Sequence, residues 1–98
     1  MSAISKTVFC INEKFWNEYG SKMLVSKMAF QRHLAMIIGE EYKTGQAVIF
    51  LPHTVTKSQR HSIHKFSKKN EINSVSANVC KNRVMKIILE PGYIKQII

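Results

Sequence analysis

Ala47-Val48-Ile49-Phe50-Leu51-Pro52 is followed closely by Thr56-Lys57-Ser58-Gln59-Arg60-His61-Ser62-Ile63-His64-Lys65-Phe66-Ser67-Lys68-Lys69. The two halves of this stretch obey different periods. The first is a β-branched and aromatic run closed by proline, which reads as a strand. The second opens at Thr54 or Thr56, either of which supplies a capping hydroxyl, and runs as a helix to about Lys69. Val55, Ile63 and Phe66 give it a narrow apolar face, and Asn70, a residue that tolerates left-handed backbone, closes it. A strand delivering straight into an amphipathic helix sets the frame for the rest of the chain.

Upstream, Phe30, Leu34, Ile37, Ile38 and Tyr42 recur at three- and four-residue intervals and make one apolar stripe. The spacing predicts a helix capped by Ser21 or Ser26 and stopped by Gly45. Downstream, Ile72 to Ser76 reads as a short strand and Arg83 to Leu89 as a longer one with two oily faces, joined by a hairpin loop over Ala77 to Asn82. Pro91-Gly92 reads as a turn, and Tyr93 to Ile98 as a tail that adds an edge strand or packs back on the core. At the N-terminus, Asn12 caps a short helix through Tyr19 that Gly20 ends. The expected fold is therefore α+β: a three-stranded antiparallel sheet packed on one side by two helices, in the order helix-strand-helix-strand-strand, with an extra N-terminal helical segment. The corresponding divisions are an extension over residues 1–25, a domain over 26–90 and a tail over 91–98.

Ninety-eight residues suffice for one core. Fifteen Lys and Arg stand against six Glu and no Asp, a formal charge of +9. Such a balance points to phosphate backbones or anionic membranes as partners. The longest oily stretch, Ala47 to Pro52, is far short of a membrane span. Met1 to Cys10 carries one lysine and no sustained apolar run, so no secretory signal is expected there. Cys10 and Cys80 are expected as reduced thiols in an intracellular protein of nucleus or cytoplasm.

The helix over residues 57–69 carries the functional argument. Lys57, Arg60, His61, His64 and Lys68 stand at i, i+3, i+4, i+7 and i+11 and share one side, with Lys65 and Lys69 flanking them. A charged stripe is ordinarily a solvated face. This one has a single sign, with no carboxylate between Glu41 and Glu71 to neutralise it. Arg60 and His64, one turn apart, present a planar fork of donors and an imidazole that together suit phosphate and base.

The order of these pieces resembles the domain family named for its arginine–three residues–histidine signature, the R-three-H domain. The resemblance covers about Lys27 to Glu90. It rests on Leu51-Pro52 ending a strand, Arg60 and His64 as the signature pair, Ser74 and Ser76 before the hairpin, and Arg83 opening the last strand. It implies binding of single-stranded nucleic acid, often as one module within a larger protein; from the residues themselves neither catalysis nor a cofactor is expected. The hairpin departs from the family pattern. Glycines and an acid are usual there, whereas this chain has Ala77-Asn78-Val79-Cys80-Lys81-Asn82, so Asn78 or Asn82 is expected in the left-handed region.

The expected nucleic-acid-binding set is Lys57, Arg60, His61, His64, Lys68, Lys81 and Arg83, acting on single-stranded RNA or DNA. For Arg83 and the serines the structural alternative is an ion pair with a helix carboxylate and bonds to backbone alone. No metal site is expected, since no dense Cys/His cluster occurs. A nuclease would cast His61, His64 and Lys57 as acid and base, but six scattered Glu serve two-metal chemistry poorly. The rival class is a protein-interaction adapter in a nucleic-acid-associated complex, docking through Phe15, Trp16 and Tyr19 or through the C-terminal tail.

Overall fold

In a computed structural model that describes the backbone of residues 5–98 and, Glu40 excepted, their side chains, nine elements follow one another. They are β1 (Lys6–Cys10), α1 (Glu13–Met23), α2 (Lys27–Ile38), a 3-10 turn (Gly39–Glu41), β2 (Gln46–Phe50), α3 (Lys57–Lys69), β3 (Asn73–Val79), β4 (Asn82–Leu89) and α4 (Pro91–Ile97). The strands form one mixed sheet in the order β1-β2-β4-β3. Strand β1 is parallel to β2, with Val8 opposite Val48, while β2 with β4 and β4 with β3 are antiparallel.

The architecture corrects the sequence reading. The sheet has four strands rather than three, it is mixed rather than antiparallel, and four helices accompany it where two and an N-terminal helical segment were expected. Residues 6–10 escaped notice because a five-residue edge strand with one buried side chain, Phe9, gives periodicity almost nothing to report. Its partner strand lies beyond two helices, which is the long crossover that a parallel pair requires. Residues 1–4 of the expected N-terminal extension lie outside the described residues.

Phe9, Ala47, Ile49, Met85, Ile87 and Leu89 alternate onto one face of the sheet and are buried in a single cluster with Trp16, Met23, Phe30, Leu34, Ile38, Ile63 and Ile94 from the helices. The opposite strand parity carries Val8, Phe50, Val84, Lys86 and Ile88. Several boundaries follow from local chemistry. Asn12 caps α1 by accepting the Phe15 N–H at 2.8 Å. Gly20 does not end that helix but lies within it. A Cβ there would come 2.8 Å from Cε2 of Trp16, so the glycine leaves room for the indole. Ser26 caps α2 through the Ala29 N–H at 3.0 Å.

Helix α2 ends at Ile38 rather than running on to Gly45. Gly45, at φ 80°, lets β2 start against the end of residue 5, because a Cβ would lie 2.2 Å from the Ser5 carbonyl oxygen. Beyond α3 the residue with positive φ is Glu71, at 59°, and Asn70 is at −95°. Pro91 is no turn residue but the first residue of α4, where its missing N–H costs nothing. The tail thus packs back as a helix, with Ile94 buried.

Candidate nucleic-acid interface

The N-terminal end of α3 is fixed twice over. Thr56 accepts the Gln59 N–H at 3.1 Å, and the Gln59 side-chain oxygen accepts the Thr56 N–H at 2.9 Å. This reciprocal pair is a capping box. The same Gln59 oxygen accepts the indole N–H of Trp16 at 3.2 Å, which ties α1 to the start of α3. The pattern Thr56-x-x-Gln59 was legible in the sequence. The link to Trp16 was not, since nothing local signals a contact between residues so far apart.

On this helix Lys57, Arg60, His61 and His64 face Ser76 and Arg83 of the β3–β4 hairpin across an open depression of about 430 Å³. Five of the seven expected residues therefore meet in one place: Lys57, Arg60, His61, His64 and Arg83. The other two do not line it. Lys68 is exposed a turn further along α3, in its last turn, where a cation also complements the helix dipole. Lys81 is exposed at the hairpin tip.

Each key side chain is held by a neutral partner. Arg60 donates one guanidinium N–H to the Val55 carbonyl at 2.8 Å, leaving most of its donors uncommitted. His64 Nδ1 lies 2.5 Å from the Ser74 hydroxyl. When that hydroxyl donates to Nδ1, the ring proton sits on Nε2, the nitrogen left for a ligand. Arg83 Nε–H donates to the Ser76 hydroxyl at 3.1 Å. Thus, among the described residues, Arg83 pairs with no helix carboxylate, and both serines bond to side chains rather than to backbone alone.

The electrostatics are one-sided. Among the described residues the one basic side chain within 4 Å of a carboxylate is the His53 imidazole, 3.7 Å from Glu13, and neither lines the depression. No acid stands in the first turn of α3, where one would complement the dipole, and Lys57 occupies its first position instead. A cation there opposes the helix dipole by about 0.3–1 kcal/mol. With Lys57 adding its charge to the positive end of the helix, the arrangement suits an anion.

The hairpin corrects another expectation. Strands β3 and β4 run up to Val79 and Asn82, so the connection is the two residues Cys80 and Lys81, at φ 49° and 69°. Left-handed backbone falls on these and not on Asn78 or Asn82. Two consecutive positive φ values are the signature of a type I′ turn.

Of the N-terminal aromatics, Trp16 is only 3% exposed and belongs to the core. Phe15 and Tyr19 are half-buried, with ring centroids 4.7 Å apart. Cys10 and Cys80 are free and exposed. Among the described residues no group of three or more His, Cys, Asp or Glu is placed to hold a metal ion. Compared with family models, with curated proteins and with solved structures, the chain finds no match.

Proposed function

We propose that the depression between α3 and the β3–β4 hairpin binds single-stranded nucleic acid, without turnover. The observation that carries this reading is the convergence of two arginines, a lysine and two imidazoles on one open depression with no carboxylate among its lining residues. Neutral hydroxyls and a backbone carbonyl steady these groups, so their charge and outward donors are left to a ligand. Lys57, Arg60 and Arg83 take phosphates, and His64 bridges phosphate and base. Lys68 and Lys81 add charge at the margins. The order of the signature residues, in the manner of the R-three-H family, favours the same reading. Engagement of about four phosphates implies a log–log salt slope near −3.

The test is fluorescence anisotropy of wild type and Arg60→Ala/His64→Ala against labelled single-stranded RNA, single-stranded DNA and duplex, with thermal melts of both proteins. The expected result is a roughly 10- to 100-fold loss of single-strand affinity in a folded variant, the size of one or two charge-assisted hydrogen bonds. Unchanged affinity, or no binding by wild type, overturns it. A second reading, a protein-interaction adapter, is favoured by one feature. Val8, Val75 and Val79 are exposed on the sheet face opposite the helices, the last two beside an apolar depression that Phe50 also lines. A wild type that binds no oligonucleotide turns attention to that face.

A further inference from the structure

Lys57, His61, Lys65 and Lys69 follow one another along α3 at four-residue intervals, and all four are exposed. Each interval advances about 6 Å along the axis and turns about 40° beyond a full turn. The row therefore winds diagonally across the helix instead of staying on one side. It starts in the depression that Lys57 and His61 line. Some 18 Å on, by the same helical rise, it ends at Lys69. Lys69 lines a second depression of about 480 Å³, together with Lys27, Gln31, Tyr93 and Gln96. A step of about 6 Å along the axis from one basic residue to the next is of the order of the spacing between successive phosphates of an extended strand.

The second depression has ligand-binding chemistry of its own. Lys27 is the first residue of α2, so its ammonium adds to the positive end of that helix. The Lys69 ammonium lies 5.6 Å from the centroid of the Phe66 ring, which steadies it at the rim. Gln31 and Gln96 bring amides that both donate and accept, the groups that read base edges. The Tyr93 hydroxyl is shielded from solvent, yet no atom meets hydrogen-bonding geometry with it. Burial pushes its pKa up, and the neighbouring Gln31 side chain pulls it the other way. The phenol and the Gln31 amide thus stand together among the groups lining this depression. Glu71 is the one carboxylate on the rim.

We propose that a single strand entering at Arg60 and His64 continues along the Lys57–His61–Lys65–Lys69 ridge and seats a further nucleotide between Lys27, Lys69 and Tyr93. This rests on the nucleic-acid reading above and deepens it. The footprint then extends from the phosphates at Arg60 and Arg83 by about one per basic residue of the ridge, with the nucleotide at Lys69 seated in the second depression.

The test is a length series of labelled homopolymeric single strands, from three to ten nucleotides, against wild type, Lys65→Ala/Lys69→Ala and Tyr93→Phe. Wild type gains affinity with length up to about five or six nucleotides and then levels off. The lysine variant matches wild type on the trinucleotide, loses the gain from length, and shows a salt slope on the octamer shallower by about 1.4, two phosphates' worth. Tyr93→Phe stays folded, having lost a single hydroxyl, but binds the octamer several-fold more weakly. Equal losses on trinucleotide and octamer, or an unchanged octamer slope, overturn the ridge. An unchanged octamer affinity in Tyr93→Phe removes the second depression. If neither length binds wild type, the underlying reading fails with it. If the trinucleotide binds and length adds nothing, only the extended footprint fails.

Discussion

Gln59 anchors the fold at the helix end that carries Lys57 and Arg60, and its chemistry lets fold and site be separated. Its side-chain oxygen takes the indole N–H of buried Trp16 at 3.2 Å and the Thr56 N–H at 2.9 Å. Removing it in Gln59→Ala leaves the indole donor unpaired in the core and dissolves half of the capping box. Together these cost about 1–3 kcal/mol, which lowers the melting temperature by several degrees or more. Gln59→Glu behaves differently. It keeps an acceptor in place and puts a negative charge in the first turn of α3, where the helix dipole favours it by about 0.3–1 kcal/mol. It also plants a carboxylate at the end of the helix that holds Lys57 and Arg60. The expected outcome is a variant that melts at or above the wild-type temperature yet binds single strands several-fold more weakly. Melts and anisotropy on the same sample decide it, and a Gln59→Glu protein with undiminished affinity argues that the α3 end does not meet phosphate.

At the scale of elements the β3–β4 hairpin is the least comfortable piece of backbone. Cys80 and Lys81 both hold positive φ, a conformation that type I′ turns assign to Asn-Gly and that costs other residues about 1–2 kcal/mol each. Cys80→Asn/Lys81→Gly relieves this and raises the urea midpoint by an amount worth about 1 kcal/mol or more. Since Lys81 stands at the tip rather than in the depression, the salt slope should change by less than the 0.7 or so of one phosphate contact. A lost slope of about 0.7 or more would return Lys81 to the ligand.

The hairpin also shows what the sequence could and could not tell. Alternation in Val84 to Leu89 announced β4, and the apolar stripe announced α2. The turn stayed hidden because neither of its residues is one that turns select. Helix α3 was readable almost to the residue, its cap and its one-signed face being local patterns. Strand β1 was unreadable because its pairing is parallel and remote. The side chains that meet around the depression were foreseen in part because four of them share one helix turn pattern. Ser74 and Ser76 were visible as residues, but their grip on His64 and Arg83 comes from strand register, which no spacing encodes.

For the whole molecule the question is whether +9 acts as a diffuse field or through a located site. Charge alone would attract any polyanion, and then every lysine would contribute in proportion to its distance within a Debye length of about 8 Å. The geometry favours a located site, because Lys57, Arg60 and Arg83 meet at one depression while Lys6 and Lys14 lie exposed on β1 and α1. Two double variants with the same net charge distinguish these views. Arg60→Ala/Arg83→Ala and Lys6→Ala/Lys14→Ala each lower the formal charge by two, from +9 to +7. A located site predicts that the arginine pair flattens the salt slope by about 1.4 on a short single strand, while the lysine pair leaves it within error of wild type. The short strand matters, since a long one would reach surfaces beyond the depression. Equal flattening by both variants would mean that the strand senses net charge and not this arrangement of residues. The depression would then be one part of a generally basic surface, and the adapter reading would gain what the binding site loses.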